Sequence, residues 1–161
     1  MKLFRPTSAR QVNIGLAALR IITGIIFTAH GAQKLFVYGV AGVSGSFGHM
    51  GIPMPGLMGP FISLLEFFGG LALIVGLLTR LASLGLSFNM LGAILFVHLK
   101  AGFFLPNGAE FALAMLAPSL ALVFTGAGSY SLDGLVNSLD KAEIAEPNSI
   151  AQGGSMARRA A

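Results

Sequence analysis

The sequence predicts an all-α membrane protein, a four-helix transmembrane bundle, on three observations. Of its 161 residues, 55% are hydrophobic and only 10% are charged, and the mean hydropathy is +0.81. Soluble domains carry about 25% charged residues, so this chain lacks the polar side chains to cover a water-facing surface. Its apolar residues form long blocks, and these do not alternate with polar residues as the strands of a membrane barrel would. Helices are therefore predicted.

Four apolar blocks are each predicted to cross the bilayer once. A spanning helix needs about 20 residues at ~1.5 Å rise per residue, which the first three blocks provide. The fourth block reaches that length only with its flanks, from Ala109 to Ala127, and Pro118 within it predicts a kink. The predicted spans are Ile14–Phe36, Leu57–Leu78, Leu81–Leu99 and Phe111–Thr125.

The distribution of Lys and Arg predicts that both termini lie in the cytoplasm. Basic residues precede the first span, Arg80 lies in the turn between the second and third spans, and residues 37–56 contain neither Lys nor Arg. The positive-inside rule then places the long first loop outside. A cleaved signal peptide is disfavoured, because Arg20 interrupts the first apolar block and the block exceeds the usual 7 to 15 residues.

The segments outside the spans receive separate predictions. Residues 1–13 form a basic cytoplasmic N-terminus, residues 14–128 the bundle, residues 129–145 an interfacial segment, and residues 146–161 a disordered tail. Glycine recurs at every third position from Gly39 to Gly51, which we interpret as a compact outer cap packed against the helix ends. Pro53 and Pro55 are expected to set the start of the second spanning helix.

A short amphipathic helix is predicted after the fourth span, within the stretch SLDGLVNSLDKAEIA. Its apolar residues fall at i, i+3, i+4 and i+7, which is the spacing of one helical face. These residues are Leu132, Leu135, Val136 and Leu139. We expect this helix to lie on the cytoplasmic face of the membrane.

Composition also excludes several classes of function. The chain has no cysteine, which rules out disulfides, thiolate metal sites, a CxxC redox pair and a cysteine nucleophile. Three histidines without cysteine make no case for a metal site. The formal charge of +4 is modest and its basic residues are spread along the chain, so nucleic acid is not an expected partner.

Ionisable residues within or beside the spans are the candidate functional residues. They are Arg20, His30, Lys34, Glu66 and His98. A charge at the bilayer centre costs at least about 2.5 to 3.5 kcal/mol, so such groups usually face protein and pair with one another. At about 100° per residue, Arg20, His30 and Lys34 share one face of the first helix. Glu66 shares a face of the second helix with Gly69 and Gly70, where backbones can approach closely.

Depth along the helices predicts which of these groups meet. With the first helix centred near Ile25, Arg20 lies about 7 Å to the cytoplasmic side and His30 about 7 Å to the outer side. Glu66 falls between them, so we expect a structural ion pair between Arg20 and Glu66. We also expect an outer polar cavity that binds a cofactor. Its predicted members are His30, Lys34, Glu66, His98 and Glu110, with Asn89 deeper. Two alternatives stay open: Lys34 snorkels to the interface, and His98 with Lys100 serves as an interfacial anchor.

Three segments together resemble the DoxX family of small four-helix bacterial membrane proteins. They are RIITGIIFTAHGAQKLF, LLEFFGGLALIVGLLTRLAS and AEFALAMLAPSLALVFTGAGSYSLDGL, within residues 12–140. The residues that fall where the family pattern expects them are Arg20, Gly24, His30, Gly31, Lys34, Glu66, Gly69, Gly70, Gly76, Arg80, Glu110 and Asp133. The resemblance implies a multi-pass protein of the bacterial inner membrane.

The resemblance further implies a quinone-linked membrane subunit that acts with a redox-enzyme partner. His30 would donate to a quinone and exchange protons, Lys34 would stabilise negative charge, and Glu66 would relay a proton. No redox group belongs to the chain itself, so the electron carrier must be the quinone or part of the partner. No residue is assigned a catalytic role.

Two other functions stay open at this stage. One is a non-catalytic scaffold or a permeation protein for protons or small molecules, and transport through so thin a bundle would require a homo-oligomer. The other is a lipid-modifying enzyme, although no spacing in the sequence is specific for its acid–base pair or nucleophile.

Overall fold

Helices account for most of the chain in this computed structural model, which describes residues 7–141. They are α1 (Ala9–Ala32), α2 (Gly39–His49), α3 (Pro55–Val75), α4 (Thr79–Gly92), α5 (Glu110–Thr125) and α6 (residues 132–141). Short π-helical stretches follow α1 at Gln33–Tyr38 and α4 at Ala93–His98, and a 3-10 turn at Leu99–Ala101 comes next. The all-helical prediction is confirmed for these residues.

Three continuous helical segments are long and apolar enough to cross a membrane: Ala9–His49, Pro55–Val75 and Thr79–Ala101. They contain the first three predicted spans almost completely, although α3 ends three residues early. The fourth helix, α5, has 16 residues and is about 24 Å long, short of the ~30 Å hydrocarbon core. The fourth crossing, the cytoplasmic location of both ends and the segment boundaries outside the bundle therefore stay predictions.

The helix ends follow local sequence signals. Ser8 and Gln11 form a reciprocal capping box at the start of α1. As expected, a proline opens the second long helix, because α3 begins at Pro55. It ends at Gly76, whose φ of 73° is left-handed and therefore favours glycine.

Glycine brings α1 and α3 into direct backbone contact. A Cβ added at Gly24 would lie 2.6 Å from the carbonyl oxygen of Gly70, and one at Gly31 would overlap the backbone of Phe67. No side chain larger than hydrogen fits at either position without moving a helix. The sequence-based expectation that glycine lines these two faces is confirmed, and the crossing fixes α1 against α3 from Gly24 to Gly31.

A small apolar core fills the space between the helices. Its buried members are Phe27, Leu73, Leu86, Met90, Ala112, Met115, Leu116 and Leu122. They come from α1, α3, α4 and α5, so all four helices share one core. Most other large apolar side chains are exposed on the outside of the helices, as expected for a protein surrounded by lipid.

The glycine-rich segment is not the loop that we expected. Residues 39–49 are α-helical, and the true loop is only residues 50–54. Glycine has a low helix propensity, but an apolar environment offers no water to an open backbone and so favours internal hydrogen bonding. The segment does pack against α3, since a Cβ at Gly59 would lie 2.6 Å from the Ser44 hydroxyl.

The predicted amphipathic segment is helical as α6, and its apolar residues do not enter the core. Leu132, Leu135, Val136 and Leu139 are 43–61% exposed. Its position on the membrane face stays a prediction. Residues 146–161, expected to be disordered, lie outside the described residues.

Candidate functional site

A buried carboxylate at the centre of three helices forms the core of the candidate site. Glu66 on α3 is 3% exposed. Its Oε2 forms a salt bridge with Nζ of Lys34, and its Oε1 accepts a hydrogen bond of 2.8 Å from the Asn89 side-chain amide on α4. Both carboxylate oxygens therefore have a partner. The charge that burial would penalise is balanced by an ammonium and an amide donor.

The local backbone structure places Lys34 beside the Glu66 carboxylate. The α-helix of α1 ends at Ala32, and Lys34 lies in the π-helical stretch that follows. Such stretches shift the helical register and are frequent at functional sites. Gly31, one turn before Lys34, lets α1 reach the backbone of Phe67 beside Glu66. The Lys34 side chain is 21% exposed, so the site is reachable from outside the bundle through its cation.

Arg20 does not form the predicted ion pair with Glu66. Its guanidinium donates to the carbonyl oxygens of Leu73 and Ile74 at 2.5 and 2.7 Å, and to that of Tyr130 at 2.8 Å. The last turn of a helix leaves carbonyl groups without intrahelical donors, and Arg20 fills this need at the end of α3. Within residues 7–141 the carboxylate of Glu66 pairs with Lys34 instead.

His30 lies on a different side of α1 from the Glu66 contact. Its side chain is exposed, and its ring packs against Phe111 of α5 with centroids 5.7 Å apart. Together with Ala29 and Gln33 it lines a small cavity of about 250 Å³. We expected His30 to face the Glu66 carboxylate together with Lys34. Among the described residues, no contact joins His30 to Glu66.

His98 and Glu110 hold the loop between α4 and α5. Nδ1 of His98 lies 2.8 Å from the carbonyl oxygen of Asn107, and a Glu110 carboxylate oxygen accepts from the backbone N–H of Leu105 at 2.7 Å. The single cavity expected from six residues therefore separates into three groups. Lys34 and Asn89 both contact Glu66, His30 packs on α5, and the remaining two residues stabilise a loop.

Asp133 is a structural residue to which sequence reasoning gave no role. Its two carboxylate oxygens accept from the backbone N–H groups of Leu78 and Thr79, at 2.8 and 2.9 Å, and so cap the start of α4. The backbone N–H of Asp133 donates to the Gly76 carbonyl oxygen at 2.9 Å. The available signal was an aspartate in a polar turn after an apolar block, but its partner lies more than 50 residues away.

We call the end of the bundle that carries this cap the Arg80 end, comprising Asn13, residues 76–80 and residues 126–141. The opposite end, comprising Lys34 and residues 98–109, is the Lys34 end. In residues 7–141, no cluster of three or more His, Asp and Glu side chains is placed to hold a metal ion. A ligand at the Lys34 end would meet the partly exposed Lys34 ammonium.

Comparisons with known proteins agree with this architecture. The sequence profile of the DoxX family matches residues 15–99. The chain is 37% identical over 127 residues to the Bacillus subtilis protein named "Putative oxidoreductase CatD", covering 79% of this chain and 90% of that protein. It is 36% identical over 131 residues to the Escherichia coli protein named "Inner membrane protein YqjF", covering 78% and 94%.

A further relative is a Mycobacterium tuberculosis protein whose name describes it as an uncharacterized membrane protein. It is 32% identical over 126 residues, covering 71% of this chain and 77% of that protein. No solved structure matches the chain. The profile match, the relatives of similar length and the long apolar helices agree: the chain belongs to the DoxX family and is a membrane protein.

Proposed function

We propose that the chain is the membrane subunit of a quinone-linked oxidoreductase in the bacterial inner membrane. The observation that carries the proposal is the buried cluster of Lys34, Glu66 and Asn89 among apolar helices. Ionisable groups at such positions are costly and mark functional sites in membrane proteins. The printed name of the Bacillus subtilis relative supports the oxidoreductase class, and that of the Escherichia coli relative supports the location.

The proposal includes four crossings with both ends in the cytoplasm. An even number of crossings returns the chain to the side from which it began. The hydrogen bond of 2.8 Å from the Ser129 backbone N–H to the Asn13 side chain supports this, because it joins the start of α1 to the segment after α5. Arg80, in the α3–α4 turn at the same end, supports the cytoplasmic assignment.

Lys34 is chemically suited to a quinone, because its ammonium is a hydrogen-bond donor and is partly exposed. A bound quinone would supply two-electron, two-proton redox chemistry, with electrons delivered by a partner enzyme that carries its own redox group. Lys34 would donate a hydrogen bond to a quinone oxygen and stabilise negative charge there. Glu66 forms a salt bridge with that ammonium, and Asn89 donates a hydrogen bond to the carboxylate. His30, exposed beside a shallow depression, would supply an imidazole for proton exchange.

Quinone content of the purified protein tests this proposal. The protein is extracted in mild detergent and its quinones are quantified by mass spectrometry, with Lys34→Met and His30→Ala compared with the original chain. We expect the original chain to carry quinone and each variant to lose about tenfold in quinone affinity, as for removal of a hydrogen-bond donor to the ligand.

Lys100→Gln is the matched control. It removes an exposed cation at the same end of the bundle, in the 3-10 turn after α4, and should leave quinone content unchanged. Equal quinone content in all variants would contradict the assigned site, and no quinone in the original chain would contradict the function. Proteins that travel with the purified chain would identify the expected redox partner, and its native mass would report a homo-oligomer.

The alternative of a permeation protein is not favoured by the packing. Leu73 and Leu86 are fully buried in the shared core, between the level of Arg20 and that of Glu66. A solute path through one copy would have to pass these side chains.

A further inference from the structure

An open groove at the Arg80 end is not used by the proposed quinone chemistry. It has a volume of about 1140 Å³ and lies between the α3–α4 turn and residues 125–141. The first residues of α4 form one wall and one side of α6 forms the other. The groove is large enough for a small-molecule headgroup and opens at the end of the bundle, where a lipid leaflet would meet it.

The charged side chains that line the groove are two cations and one carboxylate. Arg80 and Lys141 line it, and both are exposed. The one hydrogen bond of the Arg80 guanidinium to residues 7–141 is a long contact of 3.4 Å with the Phe124 carbonyl oxygen. Asp133 also lines the groove, but both of its oxygens already accept backbone N–H groups. An anion entering the groove would therefore find two cations whose hydrogen-bonding capacity is largely unused within the described chain.

A buried hydroxyl also lies in the wall of the groove. Thr79 belongs to the residues that line the groove and is fully buried. Its Oγ1 has no hydrogen-bond partner among residues 7–141. Because this oxygen has no accessible surface, a ligand in the groove does not reach it, and the inference depends on the cations and the apolar border instead.

Apolar side chains border the same groove. Leu77, Leu78 and Leu81 are 44–66% exposed on the α3–α4 side. Leu135 and Val136 of α6 are 55% and 51% exposed on the other. The groove therefore has basic side chains inside and apolar side chains at its border. This arrangement suits an anion that carries a hydrocarbon chain better than a small water-soluble anion.

We infer that the groove binds the headgroup of an anionic phospholipid from the adjacent leaflet. Arg80 and Lys141 face its phosphate, and its acyl chains lie along the exposed leucines of the border. The attraction of basic side chains to anionic lipid is worth enough to change affinity about fivefold per charge. This site is independent of the quinone site, because it lies at the opposite end of the bundle.

Lipid titration of the purified chain tests this inference. Phosphatidylglycerol, phosphatidylcholine and inorganic phosphate are added separately in neutral detergent, and binding is followed by native mass spectrometry and by the thermal midpoint. We expect phosphatidylglycerol to bind and to raise the midpoint, with weaker binding at high salt. The double variant Arg80→Gln/Lys141→Gln should bind it about 25-fold more weakly and lose most of the salt dependence.

Lys100→Gln is again the matched control, since it removes an exposed cation from the Lys34 end. It should bind phosphatidylglycerol as the original chain does. Because Lys141 is exposed, the single variant Lys141→Gln keeps the test valid if the double variant does not fold. Equal binding of phosphatidylcholine would overturn the inference, as would phosphate that binds as tightly as the lipid, or an unaltered affinity in both variants. Loss of quinone in Lys34→Met should leave lipid binding intact.

Discussion

At the scale of single residues, the candidate site depends on one ion pair. Glu66 is almost completely buried, so removing Lys34 would leave a carboxylate with a single amide donor. Burial makes each partner dependent on the other, because an uncompensated charge inside the bundle costs several kcal/mol. The pair is therefore expected to be a structural requirement as well as the proposed binding site.

Truncation of the carboxylate should destabilise the protein. We predict that Glu66→Ala lowers the free energy of unfolding by about 3 to 5 kcal/mol, since Lys34 and Asn89 lose their partner. Denaturant unfolding in mixed micelles measures this. The double variant Lys34→Met/Glu66→Leu, which removes both charges, should recover most of the loss. A single variant as stable as the original chain would show that the pair contributes nothing to the fold.

The sequence placed Lys34, Glu66 and Asn89 among six candidates, because helical spacing constrains both the direction and the depth of a side chain. It did not separate these three from the other candidates, and it left open whether Lys34 extends to the interface. It was insufficient for Arg20, whose depth also allowed an ion pair with Glu66. Its actual partners are backbone carbonyl groups at the end of α3, and their availability depends on where the helix stops. The contact of His98 with Asn107 was also not predicted, since it lies in an irregular loop without periodicity.

At the scale of helices, glycine decides how closely α1 and α3 approach. We predict that Gly31→Ala destabilises the protein by about 1 to 3 kcal/mol, because the added methyl group would overlap the Phe67 backbone. Gly15→Ala on the same helix is the control. A Cβ at Gly15 has no neighbour within 4 Å, so this change should be neutral or slightly stabilising. Similar unfolding midpoints for the two variants would contradict a close α1–α3 crossing.

The cap at the start of α4 should also be measurable. We predict that Asp133→Ala lowers the free energy of unfolding by about 0.5 to 2 kcal/mol, because the N–H groups of Leu78 and Thr79 lose their acceptors. Asp140→Ala is the matched control, since Asp140 is an exposed carboxylate on the same helix, α6. If both variants unfold at the same denaturant concentration, the cap has no energetic role.

The helices themselves were largely predictable, and the exception is informative. The lengths of the apolar blocks predicted the positions of α1, α3, α4 and α5, because a chain in lipid must pair its backbone N–H and C=O groups with one another. The same rule applied to residues 39–49, but their glycine spacing was interpreted as a loop. Helix propensity scales are measured on helices exposed to water. In residues 39–49, packing against α3 outweighs the low helix propensity of glycine.

At the scale of the whole molecule, the number of crossings depends on α5. Its 16 residues are about 24 Å long, so it can cross only with its flanks, with a thinned bilayer or with both. Its core residues pack with those of α1, α3 and α4, which favours a crossing over a surface position. The contact between Asn13 and Ser129 favours the same interpretation, because the chain returns to its starting end after α5.

Single-cysteine labelling tests this arrangement directly, since the chain contains no cysteine of its own. Lys100→Cys and Ser138→Cys place a thiol at an exposed position before and after α5. A membrane-impermeant maleimide is added to cells whose outer envelope has been removed and whose inner membrane is still sealed. We predict that the Lys100→Cys variant is labelled at once and that the Ser138→Cys variant is labelled only after the inner membrane is permeabilised. The reverse pattern would keep four crossings but invert the orientation and, with it, the leaflet that meets the Arg80 groove. Labelling of both positions from one side would mean that α5 does not cross, and the shared core with α1 would then need another explanation.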